Sequence, residues 1–155
     1  MEVFRLVRAA YADGISGKGA AIKGARWNSQ GIEMIYTAEN RSLAMAEVAV
    51  HFSLGTLPSD YRMMTIYIPN DLKFKNLSFS QLHERWNDFP PHPSTKKLGD
   101  QFVLENQYAV LRVPSVVVQG DFNLLINPHH TDIDRLRVVE IVPFPFDRRI
   151  FQDVR

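Results

Sequence analysis

Glu47 is the only acidic residue in the run Leu43 to Leu54 (LAMAEVAVHFSL), which otherwise holds almost nothing but apolar side chains. A helix of that composition is expected to be buried on most sides, and a carboxylate inside it must be paired, protonated or lining a site. His51 follows four residues later, so the spacing admits a self-satisfying Glu–His pair on one helix face. The same periodicity turns the stripe Leu43, Glu47, Val50 and Leu54 toward the interior. Arg26 offers a second kind of chemistry. It follows the glycine-rich stretch Gly14 to Gly24, and a guanidinium beside such a loop can present a planar fork to a diphosphate. The plainer reading is a surface arginine stacked on Trp27. Tyr36, near the end of an apolar run, is either a stacking platform for a flat heterocycle or a core aromatic. Asn123 and Asn127 flank Leu124-Leu125-Ile126, where asparagines ordinarily serve turns.

Other chemistries are excluded by spacing. Gly14-Ile15-Ser16-Gly17-Lys18-Gly19 lacks the pattern of a phosphate loop, so neither an ATPase nor a dinucleotide-binding Rossmann unit is expected. Ser115 follows Pro114 in a β-rich stretch with no nucleophile elbow, which argues against a serine hydrolase. His129 and His130 follow Pro128 without recognisable ligand spacing, and no metal site is expected.

These residues must be positioned by short elements. Residues 2 to 9 read as a strand, Gly14 to Gly24 as a loop and Glu33 to Thr37 as a second strand. Asn40 or Ser42 can cap a helix that runs to about Ser53, where Gly55 and Pro58 stop it. Arg62 to Pro69 reads as a strand, and Ser80 to Asn87 as a short helix with Leu82 and Trp86 on one face. Phe89 to Ser94, with three prolines, is expected to be an exposed loop. Gln107 to Gln119, Phe122 to Asn127 and Arg137 to Phe146 are β-rich, with Pro114, Pro143 and Pro145 confined to edges, bulges or strand ends. The sum is about six strands and two or three helices, an α+β chain without regular βαβ alternation.

Composition sets outer limits. A chain of 155 residues is long enough to bury roughly two-thirds of its unfolded surface as a compact single domain, here residues 1-155. Eighteen Lys plus Arg against seventeen Asp plus Glu leave a net charge of +1, without the positive excess of a nucleic-acid or membrane-surface binder. The chain has no cysteine, which removes disulfides and thiolate chemistry together. Charges at Glu2, Arg5 and Arg8 interrupt the N-terminal apolar residues, and no stretch of about eighteen apolar residues occurs, so a cytoplasmic protein is expected.

Taken in order, these islands resemble the RES domain family, named for an arginine, a glutamate and a serine. The resemblance runs through Phe4-Arg5, Gly24 to Asn28, Ile35 to Ala38, Leu43-Ala44 with Ala46-Glu47-Val48 and His51, and Gly99-Asp100. It continues through Leu111 to Ser115, Asn123 to Pro128 with His130, and Phe146 to Arg149. Phe102 stands where the family often has tryptophan, a departure that keeps an aromatic core. The resemblance implies an ADP-ribosyltransferase-like mixed or antiparallel sheet and a toxin that cleaves the nicotinamide–ribose bond of NAD+, taken as substrate and with no cofactor. It implies Arg26, Glu47 and Ser115 as catalytic residues, with Tyr36 and Asn123 joining Arg26 and Ser115 in substrate binding. Within that frame Arg26 would clamp the diphosphate, Glu47 would stabilise an oxocarbenium-like ribose, and Ser115 would bond the ribose or carboxamide. It further implies an Xre-type antitoxin and a toxin homodimer within a larger toxin–antitoxin complex, with DNA contact left to the antitoxin. Two rivals share the same residues: a protein ADP-ribosyltransferase, and a non-catalytic binding module in which Glu47 and His51 are structural.

Overall fold

The computed structural model describes residues 1–151. Its strands are β1 (Glu2–Arg8), β2 (Ile35–Ala38), β3 (Tyr61–Tyr67), β4 (Phe74–Asn76), β5 (Val110–Pro114), β6 (Phe122–Ile126) and β7 (Arg137–Pro143). Three α-helices accompany them: α1 (Lys18–Lys23), α2 (Arg41–Ala49) and α3 (Pro93–Glu105). The strands form one sheet in the order β4-β5-β6-β2-β1-β3-β7, parallel only between β4 and β5 and antiparallel elsewhere. The chain is thus α+β, as its element pattern predicts.

Mid-sheet strands are covered on both faces, and alternate residues divide between separate clusters. On β1, Val3 and Val7 pack in one cluster with Met64, Ile66 and Leu124, while Phe4 and Leu6 turn to the other side with Ala38, Leu43 and Met63. A third cluster, on the side that carries the candidate site, joins Trp27, Leu111 and Leu125 to Phe102, which is 1% exposed and fills the aromatic position noted above. β7 closes one end as an edge strand, exposed along its whole length, and Pro143 sits at its last position. Pro114 likewise ends β5.

Several elements differ from the sequence reading. The stretch read as a loop from Gly14 to Gly24 contains α1, which ends at Gly24 with φ 71°, a conformation suited to glycine. Ser80 to Asn87 does not form a helix. Instead Ser78 and Gln81 close a capping box around a single 3₁₀ turn, and Leu82 leaves it in an extended conformation. Conversely β4 occupies a segment that carried no prediction, and α3 begins at Pro93, with His92 as its cap, inside the stretch Phe89 to Ser94 read as an exposed loop. Helix α2 stops at Ala49 and not near Ser53. Its end tightens through bonds from His51 N to Val48 O and from Phe52 N to Ala49 O, which turn Phe52 inward edge-on to Tyr61, 6.0 Å between centroids.

Candidate active site

Glu47 reaches the site because α2 lies with Leu43 and Ala44 against the sheet, and Glu47 is one turn beyond Leu43 on the same face. Asn40 caps the helix, its Oδ1 accepting from Leu43 N at 2.7 Å, so the cap falls on the first of the two candidates. The expectation of a helix buried on most sides is corrected: only Leu43 and Ala44 are buried, and Val50 is 61% exposed. The Glu47–His51 pair is not formed either. His51 lies beyond the helix end, exposed, and its side chain makes no hydrogen bond with Glu47.

Glu47 is instead satisfied across the sheet. Its Oε1 accepts from Ser115 Oγ at 2.9 Å and from Asn123 Nδ2 at 2.6 Å. Both donors belong to one hairpin: Asn123 lies on β6 opposite Ala38 of β2, and Ser115 follows β5, its N–H donating to Asp121 O. Ser115 Oγ also accepts from Val117 N at 3.1 Å and Val118 N at 3.0 Å. A hydroxyl has one proton and two lone pairs, so these contacts use its full capacity and direct the proton at Glu47. Among the described residues, Oε2 of Glu47 has no hydrogen-bond partner.

Arg26 and Tyr36 form a second group, connected through the turn between them. The bend at Gly24 is closed by a bridge between Ala25 and Asn28, which puts Arg26 and Trp27 at its tip. Trp27 is 3% exposed, and Arg26 does not spread over the surface beside it: its Nη1 donates to Trp86 O and Asp88 O, both at 2.9 Å. Burial lowers the guanidinium pKa from its ordinary value, while the charges of Glu47 and Asp88 oppose that shift. Arg26 thus feels the Glu47 charge through space, with no ion pair between the two among the described residues.

Tyr36 is fixed at its polar end. Its hydroxyl donates to Asn28 Oδ1 at 2.7 Å and accepts from Trp27 N at 3.1 Å. Asn28, fully buried, spends its amide on the carbonyls of Ala20, Ser29 and Ile32. Burial pushes the Tyr36 phenol well above its usual range, so it stays protonated through neutral and moderately alkaline pH.

The structure therefore joins Glu47, Ser115 and Asn123 by direct hydrogen bonds and sets Arg26 and Tyr36 beside them as a separately braced pair. A neighbouring groove of about 480 Å³, lined by Met45, Ala49, Val50, Phe52, Ser53 and Val117 among others, is of mixed character and contains none of these five. Asn28 was legible as part of a motif but not as the hub that anchors Tyr36. The carbonyls that hold Arg26 carry no side-chain signal at all.

The fold is similar to that of a chain in the MbcT–MbcA toxin–antitoxin complex of M. tuberculosis, which superposes with a TM-score of 0.75 at 21% identity, covering 97% of this chain and 86% of that one. That likeness defines the fold class. A sequence model of the RES domain matches residues 2–147, and the chain belongs to the RES domain family. Among its relatives, the Prs ADP-ribosylating toxin of Sphingobium sp. is 33% identical over 91% of this chain and 89% of its own. A protein named Toxin Res from Photorhabdus laumondii subsp. laumondii is 31% identical over 97% of both chains. No helix among the described residues is long and apolar enough to cross a membrane.

Proposed function

We propose that this chain is a toxin that depletes NAD+ by cleaving the bond between nicotinamide and ribose. The observation that carries this reading is the asymmetric state of Glu47, with Oε1 held by Ser115 and Asn123 and Oε2 without a partner among the described residues. Nicotinamide departs as a neutral base from a cationic pyridinium, so the barrier lies in the positive ribose left behind. A fixed carboxylate oxygen stabilises that charge or holds the ribose hydroxyls without having to reorganise. Arg26, its Nη1 already committed to two carbonyls, turns its remaining donors to the diphosphate. Tyr36 supplies the ring against which nicotinamide stacks. Ser115 and Asn123 act chiefly by holding Glu47, since the serine hydroxyl has no hydrogen-bonding position left for substrate.

A second reading is supported by the Sphingobium relative, whose name describes an ADP-ribosylating toxin. In it the same pocket passes ADP-ribose to a protein side chain. For regulation we propose an Xre-type antitoxin that covers the site, and a toxin homodimer inside that complex in the cytoplasm. The M. tuberculosis neighbour, itself a toxin–antitoxin complex, supports the existence of such a partner.

Mass-spectrometric analysis of products after incubating the purified chain with NAD+, with and without phosphate and beside Glu47→Gln, tests the proposal. Free nicotinamide with ADP-ribose, or with its phosphorylated form when phosphate is present, is the expected result. Intact NAD+ in every tube, with labelled ADP-ribose appearing on protein when lysate is added, would favour the transferase. Neither turnover nor binding would leave a non-catalytic module.

A further inference from the structure

Arg26 is gripped at both its ends by one continuous piece of chain, the segment leading into α3 and the first two turns of that helix. At the side-chain end stand the carbonyls of Trp86 and Asp88. At the main-chain end, the fully buried Thr95 Oγ1 shares its proton between Arg26 O at 2.7 Å and the more distant His92 O at 3.1 Å. Asp100 accepts from Ser29 N at 2.8 Å and from Ser29 Oγ, fixing the far side of the same turn. Between them Gly99 lies against the Trp27 backbone so closely that a methyl group there would overlap the Trp27 carbonyl. Thr95 and Gly99, spaced i and i+4, share one helix face, and Asp100 flanks it one residue further on. The segment itself is clipped shut, because His83 and His92 stack at 4.2 Å with 6° between their planes, and His92 caps α3 by accepting from Ser94 N.

A free arginine side chain loses rotamer entropy when it is fixed in one geometry. Here that ordering is done before any ligand arrives: Nη1 is bound, while Nε and Nη2 have no hydrogen-bond partner among the described residues. We infer that Thr95 and Asp100 are positioning residues for Arg26, acting through the Arg26–Ser29 main chain to aim its free donors at the substrate. The inference rests on the reading that Arg26 binds the diphosphate of NAD+, and it concerns affinity more than the chemical step.

Steady-state kinetics on the full chain with NAD+ as the probe test it, with ¹⁵N relaxation of the Arg26 side chain as a readout that needs no substrate. Thr95→Val keeps the shape and removes the donor. It should raise KM about ten-fold with kcat within a few-fold, and Thr95→Ser should restore it. In an Arg26→Ala background the same change should raise KM no further. Asp100→Asn, which weakens the grip on Ser29 without emptying its place, should shift KM the same way by a smaller factor. A Thr95→Val protein with wild-type KM and undiminished Arg26 order would overturn the inference. So would one whose KM defect persists undiminished without Arg26. Should Thr95→Val fail to fold, Asp100→Asn decides by the same two readouts. If even the wild-type chain neither binds nor consumes NAD+, the diphosphate reading fails by itself. Arg26 order then decides alone: loosened in Thr95→Val it upholds the positioning role, unchanged it refutes it.

Discussion

Ser115 and Glu47, separated by 68 positions, are joined by a 2.9 Å hydrogen bond whose proton can only come from the serine. Two main-chain N–H groups already fill the other side of that hydroxyl. The contact thus reads as an orienting device: a hydroxyl so occupied is a poor nucleophile but a firm support, and it prevents the carboxylate from rotating. A carboxylate with one oxygen pinned presents the other in a single direction.

Glu47→Gln should lower the rate of NAD+ loss by at least about a hundred-fold, on the scale of removing one fixed electrostatic group from a transition state. The amide oxygen can still accept from Ser115 and Asn123, so circular dichroism and the urea midpoint should move little. Nicotinamide release followed by liquid chromatography checks the rate, and turnover at the wild-type level would remove Glu47 from the reaction.

Ser115→Ala leaves the N–H groups of Val117 and Val118 and one acceptor position on Glu47 without their partner. Loss of about 1–3 kcal/mol of stability is expected from urea unfolding, because these groups are partly shielded from water. Turnover should fall through kcat while KM changes little, since the serine holds the catalytic carboxylate and does not touch substrate in this scheme. A large rise in KM alone would assign it a direct contact.

Tyr36→Phe separates the ring from its hydroxyl. It orphans Asn28 Oδ1 in a fully buried position and should destabilise the chain by about 1–3 kcal/mol, whereas the stacking surface and kcat should survive. The pH dependence has a definite sign. Burial raises the phenol's pKa in the folded state, so the stability it contributes is complete below about pH 10, where unfolded tyrosine begins to ionise, and declines as the pH rises further. Urea midpoints measured between pH 8 and pH 11 should therefore fall more steeply for the wild-type chain than for Tyr36→Phe.

Asn40→Ala should cost about 1 kcal/mol by removing the side-chain cap of α2. It also breaks the bond from Asn40 Nδ2 to Asp121, which ties the helix start to the β5–β6 hairpin that bears Ser115. A modest activity loss at a temperature well below unfolding is therefore expected alongside the stability change. Asn40→Asp, which preserves a cap but sets a carboxylate against Asp121, should recover the helix and not the hairpin contact.

What was legible in the sequence divides along physical lines. A lone carboxylate among apolar neighbours at Glu47 called for polar partners, which Ser115 and Asn123 supply, and alternation and β-branched runs announced β1, β3, β5 and β6. Chain ends of elements were harder, since the stop of α2 depends on Phe52 finding Tyr61, a tertiary contact that overrides the apolar run through Val50. The Glu47–His51 pair that the spacing admitted does not form for the same reason, the helix having ended before its second member. Leu82 and Trp86 suggested a helical face, but both pack against the core from turns and not from a helix. Helix α3 went unread beside its proline-rich entry, and with it the role of Thr95 and Asp100.

The order of strands decides when the Glu47 carboxylate can first be held in place. β2 is flanked by β1, made early, and by β6, made late, so Glu47 leaves the ribosome well before the hairpin that will hold it. Closing so long a loop is entropically slow, and no local contact can substitute for Asn123 and Ser115. A growing polypeptide, or one broken off before β6, consequently carries Arg26 and Glu47 without the means to hold the carboxylate in place. The carboxylate acquires its fixed direction only once the β5–β6 hairpin has been made and has paired with β2.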